Sequence, residues 1–332
     1  MDAPSGSEDL DEDSDASPVK EKGAPEPPRA RLAPSPTGVL HLGNARSFVL
    51  AWLAARSEGA WLQLRLEDLD GPRVRAGATE SILEDFAWLG LDWDSGPLTQ
   101  ADRVDEFQTV LDQLHQQGQA YPCICSRRDI EQAASAPHAG EEGLIYPGTC
   151  RGRFATLAQA QAASTDGRVA WRFAVPPGQT VSWIDEVAGP QSYLPSSQLG
   201  DFVIWKKDAE PAYQLAVVVD DIAAGINQVL RGDDLLPSTA RQLLLYEALG
   251  HAPPRWLHVP LVVGTDGRRL AKRHGDTSLR HLRACGVSAS QVLCWIARVS
   301  GIGVEEQPQS ARALLPGFDL AALPRQAVVW HG

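Results

Sequence analysis

The chain has 332 residues and a mass of 35.8 kDa, 43% of them hydrophobic, which suggests two domains or one large domain with insertions and excludes wholesale disorder. Its apolar runs, such as residues 215–219, fall far short of the roughly 18–20 residues that span a bilayer, residues 1–10 do not read as a secretory leader, and five cysteines are too few for a disulfide scaffold, so a reducing cytoplasm is the expected setting. The formal charge of −12 argues against a broad nucleic-acid-binding face, so any such partner has to be met by a small basic patch.

Residues 1–29 hold nine acids against three bases, lack aromatics, and read as a disordered acidic tail. A first strand is expected at 30–33, cut off by Pro34 and Pro36. A helix follows at 43–59, with Phe48/Trp52 and Val49/Leu53 paired at i,i+4 and Gly59 closing it. Trp61–Leu66 alternates as a strand, Gln63 and Arg65 against Leu62, Leu64 and Leu66. Ala78–Leu89 and 104–117 are amphipathic helices. Strand, helix, strand, helix over the first ninety residues predicts an α/β fold, a doubly wound parallel sheet whose ligands sit beyond the carboxyl ends of its strands.

Residues 121–153 read as loop and hold three of the five cysteines. Beyond them, 168–175, 201–205, 213–219 and 226–230 read as strands, and 238–249 as a helix capped by Ser238 and ended by Gly250. A strand at 257–263 runs into a Gly-rich turn at 264–267, and 288–299 is helical. The organisation expected is a tail (1–29), the two halves of an α/β domain (30–120 and 201–275) around an insertion (121–200), and a short helical end (276–332).

Two short elements carry chemistry. In Pro34-Ser35-Pro36-Thr37-Gly38-Val39-Leu40-His41-Leu42-Gly43-Asn44 a proline-stiffened loop enters a helix start. Such a start offers N–H groups and a positive dipole end to phosphate, Gly43 permits close approach of a nucleotide, and His41 can donate to a phosphate gaining charge. In Arg268-Arg269-Leu270-Ala271-Lys272-Arg273-His274-Gly275, four bases within seven residues follow a glycine turn, and a lysine there can neutralise a triphosphate in transit. Each alone is also the sequence of an ordinary turn.

Together the two elements resemble the HIGH and KMSKS signatures of class I aminoacyl-tRNA synthetases. Residues 31–38 (RLAPSPTG), 65–70 (RLEDLD), 213–221 (YQLAVVVDD), 229–235 (VLRGDDL) and 269–275 (RLAKRHG) are similar to glutamyl-tRNA synthetases, over roughly residues 30–300. About sixty residues follow the basic loop, where the full-length enzymes carry a much longer anticodon-binding portion. That brevity points to the family of short paralogues, the glutamyl-Q tRNA(Asp) synthetases. The resemblance implies a Rossmann-like catalytic core and tRNA-independent activation of L-glutamate with ATP. Glutamate then passes to queuosine in the tRNA(Asp) anticodon loop. It implies His41, Gly43, Asn44 and Lys272 at ATP, with His41 and Lys272 catalytic and Mg²⁺ arriving with the nucleotide. It implies Arg31, Ala33, Ser35, Glu67, Tyr213 and Arg231 at glutamate, the arginines on carboxylates and Glu67 on the ammonium. A monomer is the default expectation.

Cys123-x-Cys125 and Cys150 suggest a structural zinc site, which wants four donors. Ligand chemistry favours His138 as the fourth; the family pattern Cys, Cys, Tyr, Cys favours Tyr146, the preferred choice, and His138 stays a rival. Cys285 and Cys294 read as core. Asn44 ends the first signature, while Arg269 and Ala271 replace a lysine and a serine of the second, so a reduced rate is expected. The alternatives are a truncated glutamyl-tRNA synthetase charging an acceptor end and a non-catalytic synthetase-like binding protein.

Overall fold

The structure, a computed structural model, describes residues 28–133, 145–268, 270, 276–304 and 307–331. The chain opens with β1 (Arg29–Leu32), α1 (Leu42–Ser57), β2 (Trp61–Leu66), α2 (Ala78–Leu89), β3 (Ser95–Thr99) and α3 (Val104–Gln116). Next come β4 (Ala120–Cys123), α4 (Arg127–Ala133), α5 (Leu157–Ala163) and β5 (Ala170–Phe173). The hairpin β6 (Val181–Asp185) and β7 (Gly189–Tyr193) follows, then α6 (Pro195–Gln198) and β8 (Val203–Trp205). The last part contains α7 (Tyr213–Ala223), β9 (Gln228–Gly232), α8 (Leu236–Ala248), β10 (Arg255–Val259), β11 (Val262–Val263), α9 (Leu279–Ala284), α10 (Ala289–Val299) and β12 (Val328–Val329).

Five parallel strands form the main sheet in the order β10-β9-β1-β2-β3. The chain runs outward from β1 to β3, then returns on the other side of β1 as β9 and β10. The crevice at the carboxyl ends of β1 and β9 is therefore the switch point of a doubly wound sheet, as expected. Apolar side chains alternate between two layers. Leu32, Leu62, Leu64, Leu230 and Leu257 pack with α1, α2 and α10, while Val229 and Trp256 pack with α3, α7 and α8.

The second face also carries polar side chains: Arg31, Gln63, Arg65, Arg231 and His258 are all buried there. The alternation in β2 thus separates two buried faces, not a wet face from a dry one. Helix α7 supplies the polar partners, and here the sequence reading needs correction. Residues 213–219 form a helix, not a strand. All of Leu215, Ala216, Val217, Val218, Val219, Asp220 and Asp221 are buried, so the segment has no dry-to-wet period to betray its helical turn. The helix matters for function: eight residues rise about 12 Å in a helix against about 26 Å in a strand, so Tyr213 and Asp221 can serve one cluster.

Smaller corrections concern ends. Helix α8 begins at Leu236, with Pro237 in its first turn, and Ser238 is not its cap but accepts from Gln214 Nε2 at 2.9 Å. The strand expected at 257–263 is interrupted at Pro260 into β10 and β11, which belong to different sheets. Residues 121–153 contain β4 and α4 beside loop, and β3 and the β6–β7 hairpin had no signal in the reading above. One guanidinium ties that hairpin to the main domain: Arg255 donates to Glu58 at the end of α1 (2.9 and 3.0 Å) and to Glu186 in the hairpin turn (2.7 and 3.0 Å).

Candidate active site

A cavity of about 1140 Å³ opens at the switch point. This is just above the ~300–1,000 Å³ of small-molecule sites, room for an amino acid beside a nucleotide. Arg31, Ala33, Ser35, His41, Gly43, Asn44, Glu67, Tyr213 and Arg231 all line it. The sequence places them on separate elements: the end of β1 and the loop after it, the start of α1, the residue after β2, the start of α7 and the end of β9. A backbone bond from Glu67 N to Pro34 O (2.9 Å) holds the first loop against the end of β2.

His41 is the N-cap of α1. Its Nδ1 accepts from the amides of Gly43 (3.2 Å) and Asn44 (3.3 Å), and Asn44 Oδ1 accepts from His41 N in return at a long 3.5 Å. An unprotonated Nδ1 puts the ring proton on Nε2. The helix start differs from the open phosphate cradle expected, because the imidazole and Thr277 O, which accepts from Leu42 N at 2.9 Å, already hold its first amides. Gly43 has a matching role: a Cβ there would come 3.1 Å from the His41 ring, so glycine leaves room for the imidazole as well as for a ligand.

The charged wall is built on α7. Asp221 Oδ1 accepts from Arg65 Nη1 at 2.6 Å and lies 3.6 Å from Arg31 Nε, and Arg65 Nη2 reaches Glu67 at 3.2 Å. Asp220 takes Gln100 Nε2 at 2.7 Å and Arg103 Nε at 2.8 Å. Burial works against the Arg65 cation, but Asp221, Glu67 and Asp220 hold it protonated. Burial pushes the Glu67 carboxyl up, against the pull of Arg65 and Arg31. Among the described residues Arg31 makes one ion pair, the 3.6 Å contact with Asp221, and its buried Nε has no hydrogen-bond partner there.

Arg231 is buried and stacked 4.8 Å from the Trp256 ring. It donates to His258 Nε2 (3.0 Å), Thr239 Oγ1 (2.7 Å), Gln242 Oε1 (2.8 Å) and Tyr213 Oη (3.3 Å). Among the described residues no carboxylate lies within ion-pair distance of it, and burial lowers its proton affinity. The supporting residues Asp221, Arg65, His258, Asp185, Thr239 and Gln242 were not singled out from sequence. The available signal was a polar residue inside an apolar run, as in Trp256-Leu257-His258-Val259.

Lys272 lies outside the described residues, as do Arg269 and 271–275, so the second signature is seen by its flanks. Leu270 is buried and its amide bonds Val262 O at 3.0 Å beside the cavity. On the far side, Ser278 pairs with His41 and Leu279 N bonds Leu40 O at 2.9 Å.

The cysteine cluster is a separate unit. Cys123, Cys125 and Cys150 bring their sulfurs within 4.8 Å of one another and could hold a metal ion. The Tyr146 hydroxyl sits among them, 3.4 Å from Cys123 Sγ and 3.5 Å from Cys125 Sγ, and accepts from Cys150 N at 2.8 Å. Arg172 covers its ring at 3.7 Å. His138 lies outside the described residues. Of the remaining cysteines, Cys285 is exposed and Cys294 half-buried, so neither is the core thiol expected.

No helix among the described residues is long and apolar enough to cross a membrane. The family described as tRNA synthetases class I (E and Q), catalytic domain, matches residues 28–312. A glutamyl-Q tRNA(Asp) synthetase of Rhodopirellula baltica is 45% identical over 318 residues, covering 90% of this chain and 95% of that protein. One from Symbiobacterium thermophilum is 46% identical over 308 residues, covering 90% and 94%. A solved glutamate tRNA ligase from Elizabethkingia meningosepticum, in complex with its amino acid, superimposes with a TM-score of 0.78 at 27% identity, over 92% of this chain and 67% of that one. The chain belongs to the class I tRNA synthetases of the E and Q type and, within them, to the glutamyl-Q tRNA(Asp) synthetase family.

Proposed function

We propose that this chain activates L-glutamate with ATP, without tRNA, and transfers it to the queuosine base in the anticodon loop of tRNA(Asp). The observation that carries the reading is Arg231, a buried cation with no carboxylate partner among the described residues, facing the same cavity as Arg31, Glu67 and His41. Two cations and one acid complement an amino acid with two carboxylates and one ammonium. Arg31 and Arg231 take the carboxylates, with Ala33 and Ser35 alongside. Glu67 takes the ammonium and Tyr213 adds a hydroxyl contact.

In the first step a glutamate α-carboxylate oxygen attacks the α-phosphorus of ATP and pyrophosphate leaves. His41 donates from Nε2 to the phosphates as charge builds, beside Gly43 and Asn44, and Lys272 is the second donor. Mg²⁺ bound with ATP supplies further neutralisation of the triphosphate. In the second step a queuosine hydroxyl attacks the glutamyl carbonyl, loses its proton, and AMP leaves. The three thiols are standard donors of a tetrahedral structural zinc site, the Tyr146 hydroxyl among them would be the fourth ligand, and a zinc ion held there would cross-link the segment around β4.

Two assays test the reading. Glutamate-dependent exchange of pyrophosphate into ATP is expected without tRNA; its absence favours a non-catalytic binding protein. Labelled glutamate is expected on queuosine-containing tRNA(Asp). Label on tRNA(Glu) alone identifies an acceptor-charging enzyme and overturns the proposal.

A further inference from the structure

Arg231 is held from behind by a buried chain of hydrogen bonds that begins in the inserted hairpin. Asp185, at the end of β6, accepts on Oδ1 from three backbone amides: Val187 (3.1 Å), Ala188 (2.8 Å) and His258 (3.0 Å). Its Oδ2 lies 2.5 Å from His258 Nδ1, and both side chains are fully buried. An acceptor at Nδ1 places the imidazole proton there, which leaves Nε2 as an acceptor. Nε2 faces Arg231 Nε at 3.0 Å. With Thr239, Gln242 and Tyr213, four of the five guanidinium N–H groups are engaged among the described residues, and the fifth, on Nη1, is the one these partners leave for a ligand.

We infer that Asp185 and His258 are positioning residues for substrate recognition: Asp185 sets the His258 tautomer, and His258 in turn fixes the Arg231 guanidinium that receives a substrate carboxylate. The inference rests on the proposed glutamate site. Electrostatics supports the geometry. Burial works against its charge, yet the bonds from His258 hold the Asp185 carboxyl below its ordinary range, while burial foremost keeps His258 neutral. Asp185 reaches the buried arginine through the imidazole, the carboxylates whose charge acts on Arg231 are Asp221 and Glu67, and among the described residues none of them forms a direct ion pair with the guanidinium. A direct ion pair would have occupied the donor that the substrate needs.

Asp185→Asn tests this selectively. Three backbone amides keep the amide oxygen at Oδ1, so the hairpin turn retains its bonds. The new NH₂ then faces His258 Nδ1 and forces the proton onto Nε2, which turns from an acceptor for Arg231 Nε into a donor with Thr239 Oγ1, also at 3.0 Å, as its acceptor. In pyrophosphate exchange, D185N is expected to raise the glutamate KM about 10–100-fold, the size of losing one hydrogen bond to a charged group, with the ATP KM unchanged. Equal rises in both, or none, overturn the relay. R231Q serves as the reference: if it leaves the glutamate KM unchanged, the pocket reading fails; if it raises it and D185N does not, the relay alone fails. Should D185N not fold, ¹⁵N spectra of histidine-labelled wild-type protein decide, with His258 assigned by loss of its signal in H258Q. A neutral ring protonated at Nδ1 is expected, and an Nε2–H or doubly protonated ring overturns the proposal.

Discussion

The amide of Leu42 donates to the carbonyl of Thr277 at 2.9 Å, so the first turn of α1 is bonded to the chain that leaves the basic loop. With Leu40–Leu279 and His41–Ser278 on either side, two signature regions remote in sequence meet as a short pair at the cavity mouth. His41 is central to that pair and caps the helix with the same ring that the proposed reaction turns to the phosphates.

Two substitutions separate those roles. His41→Ala removes both cap bonds and the Nε2 donor. It is expected to cost about 1 kcal/mol of stability and roughly 10²–10³-fold in the rate of adenylate formation. His41→Asn keeps a good capping side chain but not the donor, so it should lose the rate and keep the stability. Thermal unfolding and pyrophosphate exchange on both variants check this, and equal unfolding temperatures for the two would contradict the capping role.

Asp221 holds Arg65, whose side chain is wholly buried, and approaches Arg31. Asp221→Asn leaves that cation undercompensated. A loss towards ~3–5 kcal/mol in denaturant unfolding is expected, because breaking a buried pair strands a charge. Glutamate binding should weaken with it, since Arg31 loses its contact.

Asp85 of α2 is buried and meets Arg283 Nη2 of α9 at 2.6 Å. Burial pushes its carboxyl up from 3.8 to about 6, against the pull of Arg283. An acid that binds its proton more tightly when folded contributes stability at low pH, and that contribution disappears as pH rises through about 6. Asp85→Asn does not titrate. Its stability relative to the wild type should therefore improve between about pH 4 and pH 7, by no more than about 2–3 kcal/mol. Urea midpoints across that range give the slope, and a flat or opposite trend would show that Arg283 outweighs burial.

Metal analysis of the purified protein is expected to find zinc bound at the cysteine cluster. Stripping it with a chelator should lower the unfolding temperature, and adding zinc back should restore it. Cys125→Ser and Tyr146→Phe should both weaken retention by more than the ~10–100-fold typical of changes outside the ligand shell. Tight retention in Tyr146→Phe would return the fourth position to His138.

The parallel sheet and the cavity were legible because β1, α1, β2 and α2 each carry local signals: prolines, a closing glycine, alternation and an amphipathic face. The nine expected site residues that line the cavity followed from short segments matched to a family. What stayed hidden was tertiary. Helix α7 is buried on every side from Leu215 to Asp221, so its sequence shows no period that distinguishes helix from strand, yet it positions Tyr213 and Asp221. His258 and Asp185 lie 73 residues apart, and nothing local to either announces the other. The cap at His41 was half visible: the helix start was evident, but the ring's bonds to Gly43 and Asn44 depend on a rotamer.

The burial of Asp185 at zero side-chain exposure bears on how this pocket can change. Replacing Arg231 by a neutral residue, as an uncharged substrate would invite, takes from His258 Nε2 its charged partner and leaves it Thr239 Oγ1 at 3.0 Å. Selectivity and foldability are thereby linked at one position. A lineage or a designer seeking a new amino acid for this scaffold has to alter the inserted hairpin together with the sheet.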